Sequence, residues 1–260
     1  VAQLNLVVST TQIDNTFQRS FNSCDDYIDT VNDDKDGIAT FNFSSVTTDI
    51  QAMLPTSNLG YSIKYYANES DALAEINAIT NPDNYRNTGY PNQQKIWVRI
   101  DSNHDNSCFG LGNYITLTVD ALPNIDKNDD HSEDQLVCSN LPTFFVQLTP
   151  GLQDATPSSN YTYVWRKNGA ILTAETAAIL NVNEEGEYAV EVTTVSGCSR
   201  TRTIRVTASD HAVIESITVV DLSDSNTISI IASGKGLYEY SLNEPKGPFQ
   251  SSPIFENAPI

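Results

Sequence analysis

Period-two alternation between turn residues limits what this chain can fold into more than any other feature. In GEYAVEVTT (186–194), Tyr188, Val190 and Val192 share one face while Ala189, Glu191 and Thr193 share the other, as a half-buried strand requires. TRTIRVTA (201–208) repeats the pattern with Ile204 and Val206, and Ser196-Gly197 marks a tight turn that puts Cys198 at the start of the second strand. Upstream, PTFFVQLT alternates Phe144, Val146 and Leu148. YTYVWRKNGAIL alternates Tyr161, Tyr163 and Trp165 before a Lys167-Asn168-Gly169 turn. Residues 123–209 therefore read as a β-sandwich of immunoglobulin type, with Trp165 as its core tryptophan and Tyr188 in the spacing of a tyrosine corner.

The first module, residues 20–122, adds two helical patterns to its strands. Ser44-Ser45 precedes Val46, Ile50 and Leu54 on one face, stopped by Pro55; Ser70 precedes Leu73, Ile76 and Ile79, ended by Asn81-Pro82. Around them YSIKYYAN, QKIWVRIDS and NYITLTVDAL read as strands, the middle one with Ile96, Val98 and Ile100 inward and Trp97 and Arg99 outward. Residues 1–19, containing LNLVVST, read as the end of a preceding module or a joint. Residues 210–260 read as the incomplete start of a third sandwich, with an Asp224-Ser225-Asn226 turn. The expected class is mainly β: tandem immunoglobulin-like sandwiches, the first with two short helical insertions, forming a segment of a longer protein.

Charge narrows the partners. Fourteen basic residues face 33 acidic ones, a net charge of −19, which opposes binding to nucleic acid or an anionic membrane. No apolar run reaches the length of a membrane span. Four cysteines, Cys24, Cys108, Cys138 and Cys198, form no C-x-x-C pair, so an oxidising exterior and structural bridges are expected. Of the three possible pairings, Cys24–Cys108 with Cys138–Cys198 keeps each bridge inside one module, and the layout favours it.

Catalytic signatures are missing. His104, His131 and His211 fall in loops or connectors, without G-x-S-x-G, H-E-x-x-H or a phosphate loop, so a non-enzyme is expected. Two binding chemistries compete with plain structure. VNDDKDGIATFNFS (31–44) places Asn32, Asp34 and Asp36 at alternate positions before Gly37 and the Ile38 carbonyl, as in a calcium loop, with Asp25, Asp26 and Asp33 as nearby donors. Its twelfth position is Phe43 and not the bidentate glutamate of an EF-hand, and an acidic turn whose aspartates bond local amides fits the same residues. DKNDDHSED (126–134) poses the same choice between a metal-stiffened joint and a solvated linker. Outward Trp97, with Tyr65, Tyr66, Tyr85 and Tyr90 in its module, offers an aromatic platform for sugar rings, against the alternative that these rings fill the core.

The runs CDDYIDTVNDDKDGIATFNFS, YSIKYYANESDALAEINAI and KIWVRIDSNHDNSCFGLGNYITLTV resemble a repeat module of very large Bacteroidota cell-surface proteins. YTYVWRKNGAIL with GEYAVEVTTVSGCSRTRTIRV is similar to the immunoglobulin-like module that follows it there, and GLYEYSLNEPKGPFQSSPIFENAPI to the opening of the next. Those proteins include gliding-motility adhesins exported by type IX secretion. The resemblance implies an extracellular, non-enzymatic adhesive segment, and contact with the secretion machinery if a sorting domain follows Ile260; surface glycans or polysaccharide are the partner that the aromatic platform at Trp97 would take. The alternatives it leaves are carbohydrate-binding accessory modules of a secreted hydrolase, or a type IX cargo.

Overall fold

The computed structural model describes residues 11–28, 34–55, 60–103, 109–220, 226–242 and 247–258. The 4–10 strand, His104 and the 224–225 turn lie outside them. The chain divides into two compact units, 1–122 and 123–260.

The first unit contains β1 (Arg19–Cys24), β2 (Thr40–Phe41), α1 (Val46–Met53), β3 (Tyr61–Tyr66), α2 (Glu69–Ala74), β4 (Tyr85–Arg86), β5 (Gln93–Ser102) and β6 (Phe109–Asp120). Four strands form one sheet in the order β1-β6-β5-β3, and β2 pairs with β4. The pair at the sheet's β1 edge is parallel, running from Arg19↔Ile115 to Cys24↔Asp120; β5 is antiparallel to both its neighbours. Alternation buries Ile96, Val98, Ile100, Ile115 and Leu117 completely, and α1 contributes Val46 and Ile50 to the same core. Phe43 lies at its centre, edge-on to both Tyr65 and Tyr85 at 5.4 and 5.8 Å. Ile13 and Phe17, upstream of β1, also belong to this core.

Helix α1 has the boundaries its sequence implies, with Leu54 as C-cap before Pro55. The second helix is shorter than its apolar spacing implies. Asn68 caps it by accepting from the Asp71 N–H at 2.9 Å, and Glu75 turns left-handed at φ 55°, so Leu73 and Ile76 stay exposed and Ala72 is buried. Ile79 instead bonds to the carbonyl of Tyr65 beside the sheet. This helix covers the outer face of β5, and Arg99, expected in solvent, is only 4% exposed. Its guanidinium bonds Asp101 at 2.9 Å, Glu75 at 2.8 Å and the carbonyls of Ala72 and Leu73, and lies 3.9 Å from the centre of the Phe109 ring. Arg99 thereby terminates α2, offsetting the negative end of the helix.

The second unit holds β7 (Gln135–Cys138), β8 (Val146–Leu148), β9 (Tyr161–Lys167), β10 (Ala170–Ile171), β11 (Leu180–Val182), β12 (Gly186–Thr194) and β13 (Ser199–Ser209). They form a five-stranded sheet, β10-β9-β12-β13-β7, and a two-stranded one, β11-β8. Trp165 is fully buried and donates to the Ala177 carbonyl at 2.9 Å; the Tyr188 hydroxyl donates to the Glu184 carbonyl at 3.0 Å, closing the tyrosine corner. Mainly β architecture, immunoglobulin-like sandwich packing and two short helices in the first module are thus what the structure shows. After them β14 (Val213–Val220), β15 (Asn226–Ser233) and β16 (Ile254–Ala258) form a three-stranded antiparallel sheet.

Candidate functional site

The cysteines differ sharply in state. Cys24 and Cys198 are disulfide-bonded, whereas Cys138 is a free, half-buried thiol. Cys108 lies outside the described residues. The expected Cys138–Cys198 bridge is therefore not formed, and strand register gives the reason. Cys138 pairs with Ser209 at one end of β13, while Cys198 immediately precedes Ser199 at the other end. An eleven-residue strand separates them by roughly 35 Å at ~3.3 Å per residue, and a disulfide needs α-carbons within about 7 Å. The expected Cys24–Cys108 bridge involves a residue outside the described ones. Cys24 itself pairs with Asp120 at the C-terminal end of β6.

The two half-cystines sit in defined surroundings. Cys24 closes β1, and the next amide, Asp25 N–H, bonds the Asp120 carbonyl at 2.9 Å where the chain leaves the first unit. Cys198 closes the β12–β13 turn: its N–H bonds Thr194 Oγ1 at 3.1 Å and its carbonyl accepts from the Thr194 N–H at 2.9 Å. Two residues on, Arg200 donates to the Pro123 carbonyl at 3.1 Å, where the chain enters the second unit.

The acidic run begins at Val31, seven residues beyond Cys24 in the sequence. Asn32 lies outside the described residues. Asp36 accepts from the Ile38 N–H at 2.8 Å, the bond of an Asx turn, and the Gly37 N–H reaches back to Asp25 Oδ2 at 2.9 Å. Gly37 has φ +74°, and a Cβ there would stand 2.6 Å from the Asn92 nitrogen, so only glycine fits. Asp25 is 6% exposed, and its Oδ1 has no hydrogen-bond partner. Burial pushes its carboxyl above the usual range; the Gly37 N–H opposes this, and the charge of Asp36 reinforces it. Asp26 is drawn off to Arg86 at 3.0 Å, and Asp34 stands partly exposed within the turn. Among the described residues, no group of three or more carboxylate, histidine or cysteine side chains is gathered closely enough to hold a metal.

The 126–134 segment is organised around Arg202, which is 1% exposed. Its guanidinium pairs with Glu133 and donates to the Asp126 carbonyl at 2.6 Å. Asp134 accepts from Asn128 at 3.0 Å and from the Arg205 N–H at 3.0 Å. These charges are committed to the sandwich end. Arg202 is not among the candidates that motif and charge patterns point to, although an arginine in register with Ile204 and Val206 on an inward face signals that carboxylates must meet it.

The aromatic residues divide between core and surface. Tyr65 and Tyr66 are buried, Tyr85 packs on Phe43, and Trp97 opposite Tyr66 is half-buried. The group of rings expected to flank Trp97 is thus largely inside the module.

Residues 20–123 match the family described as the Flavobacterium inter-domain disulphide bond domain. No curated protein matches the sequence. The chain is similar, at 13% identity and a TM-score of 0.29, to immunoglobulin domains 1–5 of Sidekick-1, over 86% of this chain and 47% of that one. It thus spans about half the length of that structure. At 14% identity and a TM-score of 0.28 it is similar to a SusE-like, surface-located polysaccharide-binding protein of Bacteroides thetaiotaomicron, over 72% of this chain and 38% of that one. A Ca2+-stabilised, ice-binding adhesin of an Antarctic bacterium is similar at 10% identity and a TM-score of 0.28, over 72% and 52%. Scores this low transfer no function; the immunoglobulin-like assignment rests on sheet order and the tyrosine corner. No helix among the described residues is long and apolar enough to cross a membrane.

Proposed function

We propose that this chain is a non-enzymatic segment of an extracellular, multi-module surface protein of Bacteroidota type, in which a Cys24–Cys198 bridge staples the first module to the second. One observation carries the reading: Cys24 and Cys198 belong to different units, both are oxidised, and Cys138 is free. With Cys138 excluded, Cys108 can serve at most one of them, so a single chain oxidises both only by joining them. The description of the family matched by residues 20–123 supports the same pairing. A bridge of this kind suits an oxidising exterior and a protein that projects an adhesive element from the cell. Gliding motility and type IX export belong to the proposal through the resemblance of the sequence alone.

Peptide mass spectrometry after non-reducing digestion tests it. The expected product is one linked peptide pair containing Cys24 and Cys198, with Cys138 alkylated before reduction. A Cys24–Cys108 pair would refute the staple.

Calcium is a second reading, supported by the unpartnered, buried Oδ1 of Asp25 beside Asp36 and the Gly37 turn. Asp25 and Asp36 would supply two carboxylates and Asp34 a third, which would have to move in on binding because no three such side chains are gathered among the described residues, with Asn32 and the Ile38 carbonyl as further donors. A thermal melt in millimolar calcium against chelator decides it: a rise in midpoint that Asp36→Ala removes is expected, and identical midpoints would reduce the loop to an Asx turn. Surface glycans are the partner class assigned to Trp97. A glycan screen with Trp97→Ala as control should lose every hit if that ring is the contact.

A further inference from the structure

We infer that the Cys24–Cys198 bridge shunts tension past both module cores, so that a pull along the polypeptide runs through β1, across the two sulfur atoms and out along β13. The inference rests on the pairing proposed above. It follows from where each half-cystine stands on its strand.

In the first unit the load enters β1 at Arg19 and leaves at Cys24, the opposite end of the same strand. A strand is already close to full extension, at ~3.3 Å per residue, so pulling its two ends displaces it little against its neighbour. Without the bridge the exit is Asp120 at the C-terminal end of β6, which pairs parallel with β1. A pull on the start of β1 and the end of β6 shears that whole six-residue pairing. The second unit repeats the arrangement. Bridged, the load enters β13 at Cys198 and leaves at Asp210, just beyond Ser209. Unbridged, it enters at Pro123 ahead of β7, which pairs parallel with β13 from Val206↔Gln135 to Ser209↔Cys138, and shears that pair instead.

In both units, then, the force-bearing ends of a parallel terminal pair become the two ends of a single strand. About 170 residues, 25–197, drop out of the load path, equivalent to roughly 600 Å of chain at ~3.5 Å per residue. The third sheet stays in series. It begins at a fixed point, where Asp210 accepts from the Lys235 N–H at 2.6 Å and from the Tyr238 hydroxyl at 2.9 Å.

Single-molecule force-clamp on the whole chain, held at both termini, tests the shunt. With the bond intact and no reductant, the expected extension comes from the third sheet and from the segment ahead of β1 that carries Ile13 and Phe17, and none comes from residues 25–197. With a small thiol present, its thiolate attacks one bridge sulfur, forms a mixed disulfide and releases the other cysteine as thiolate. The expected rate of that cleavage rises severalfold with force, and each cleavage is followed by unfolding steps totalling roughly 600 Å. A cleavage rate independent of force would overturn the inference, because the bond would then be slack and the load carried through the peptide linker. Protein reduced beforehand by a phosphine should show the 600 Å steps from the start, as should Cys198→Ser; the former keeps the comparison valid if the variant misfolds. Non-reducing peptide mapping of the same sample separates the two claims: absence of the Cys24–Cys198 peptide sinks the pairing, whereas its presence with force-independent cleavage sinks only the shunt.

Discussion

Replacing Arg99 by methionine removes a guanidinium that is 4% exposed and holds Asp101, Glu75 and the last carbonyls of α2 at once. Methionine fills much of the volume, so the loss is electrostatic and not a cavity. Asp101, itself 5% exposed, is left as a buried charge without its partner, which costs about 3–5 kcal/mol. Glu75 is far more exposed and rehydrates cheaply. Adding Asp101→Asn removes the stranded charge, so the double variant should recover at least about 1.5 kcal/mol relative to Arg99→Met. Two-domain unfolding is not two-state, so the assay is native-state hydrogen exchange read by mass spectrometry on separate peptides. Amides of β5 and β6 should exchange faster by roughly two to three orders of magnitude in Arg99→Met, since each 1.4 kcal/mol is about tenfold. Peptides from β12 and β13 serve as the internal control and should not change. If Arg99→Met accelerates β5 by less than about tenfold, or if its effect and that of Asp101→Asn simply add, the guanidinium is not the keystone of this face.

Gly151 has φ +67°, and a Cβ there would lie 2.3 Å from Arg202 Nη1 and 2.8 Å from the Asp126 carbonyl oxygen. Gly151→Ala should therefore destabilise the immunoglobulin-like module by about 2–4 kcal/mol, against about 1 kcal/mol for Gly169→Ala, whose Cβ would meet nothing; denaturant melts of the two variants check the difference. For Asp134, burial raises the carboxyl, but the Arg205 N–H, Asn128 and His131 outweigh it and hold the carboxyl below its usual range. Its stabilisation is thus present above the unfolded pKa and lost as pH falls through the lower folded one. Asp134→Ala should cost about 1–3 kcal/mol at pH 7, with the gap to the parent narrowing below about pH 4 in melts across that range. Cys138, as the half-buried free thiol, should take up a maleimide in the folded, unreduced protein, and Cys138→Ser should leave thermal stability and the Cys24–Cys198 peptide unchanged. Loss of that peptide in the variant would mean the thiol participates in the bridge.

The legible parts of the fold are those set by neighbouring residues. Tyr188, Val190 and Val192 point inward because successive side chains of a strand alternate, and α1 ends at Pro55 because proline cannot continue it. The second helix departs from its apolar pattern where two local signals compete: the spacing favours a long helix from Ser70, but the side chain of Asn68 captures the Asp71 amide and Glu75 turns left-handed. Around the acidic turn, the Asx bond of Asp36 and the need for Gly37 are local and were readable. The burial of Asp25, twelve residues away on the other side of the Gly37 amide, was not.

By itself the sequence determined the alternation, the turns, the tyrosine corner and the oxidising character of the chain, all consequences of residues a few positions apart. The tertiary structure alone decided that Arg99 and Arg202 are buried and which cysteines are oxidised. Those outcomes depend on which strands pair and in what register, and register sets Cys24 opposite Asp120 and Cys138 opposite Ser209. Chain order places Cys24 with Cys108 and Cys138 with Cys198, one pair to a module. The length of β13 keeps Cys138 and Cys198 roughly 35 Å apart, far beyond the reach of a disulfide.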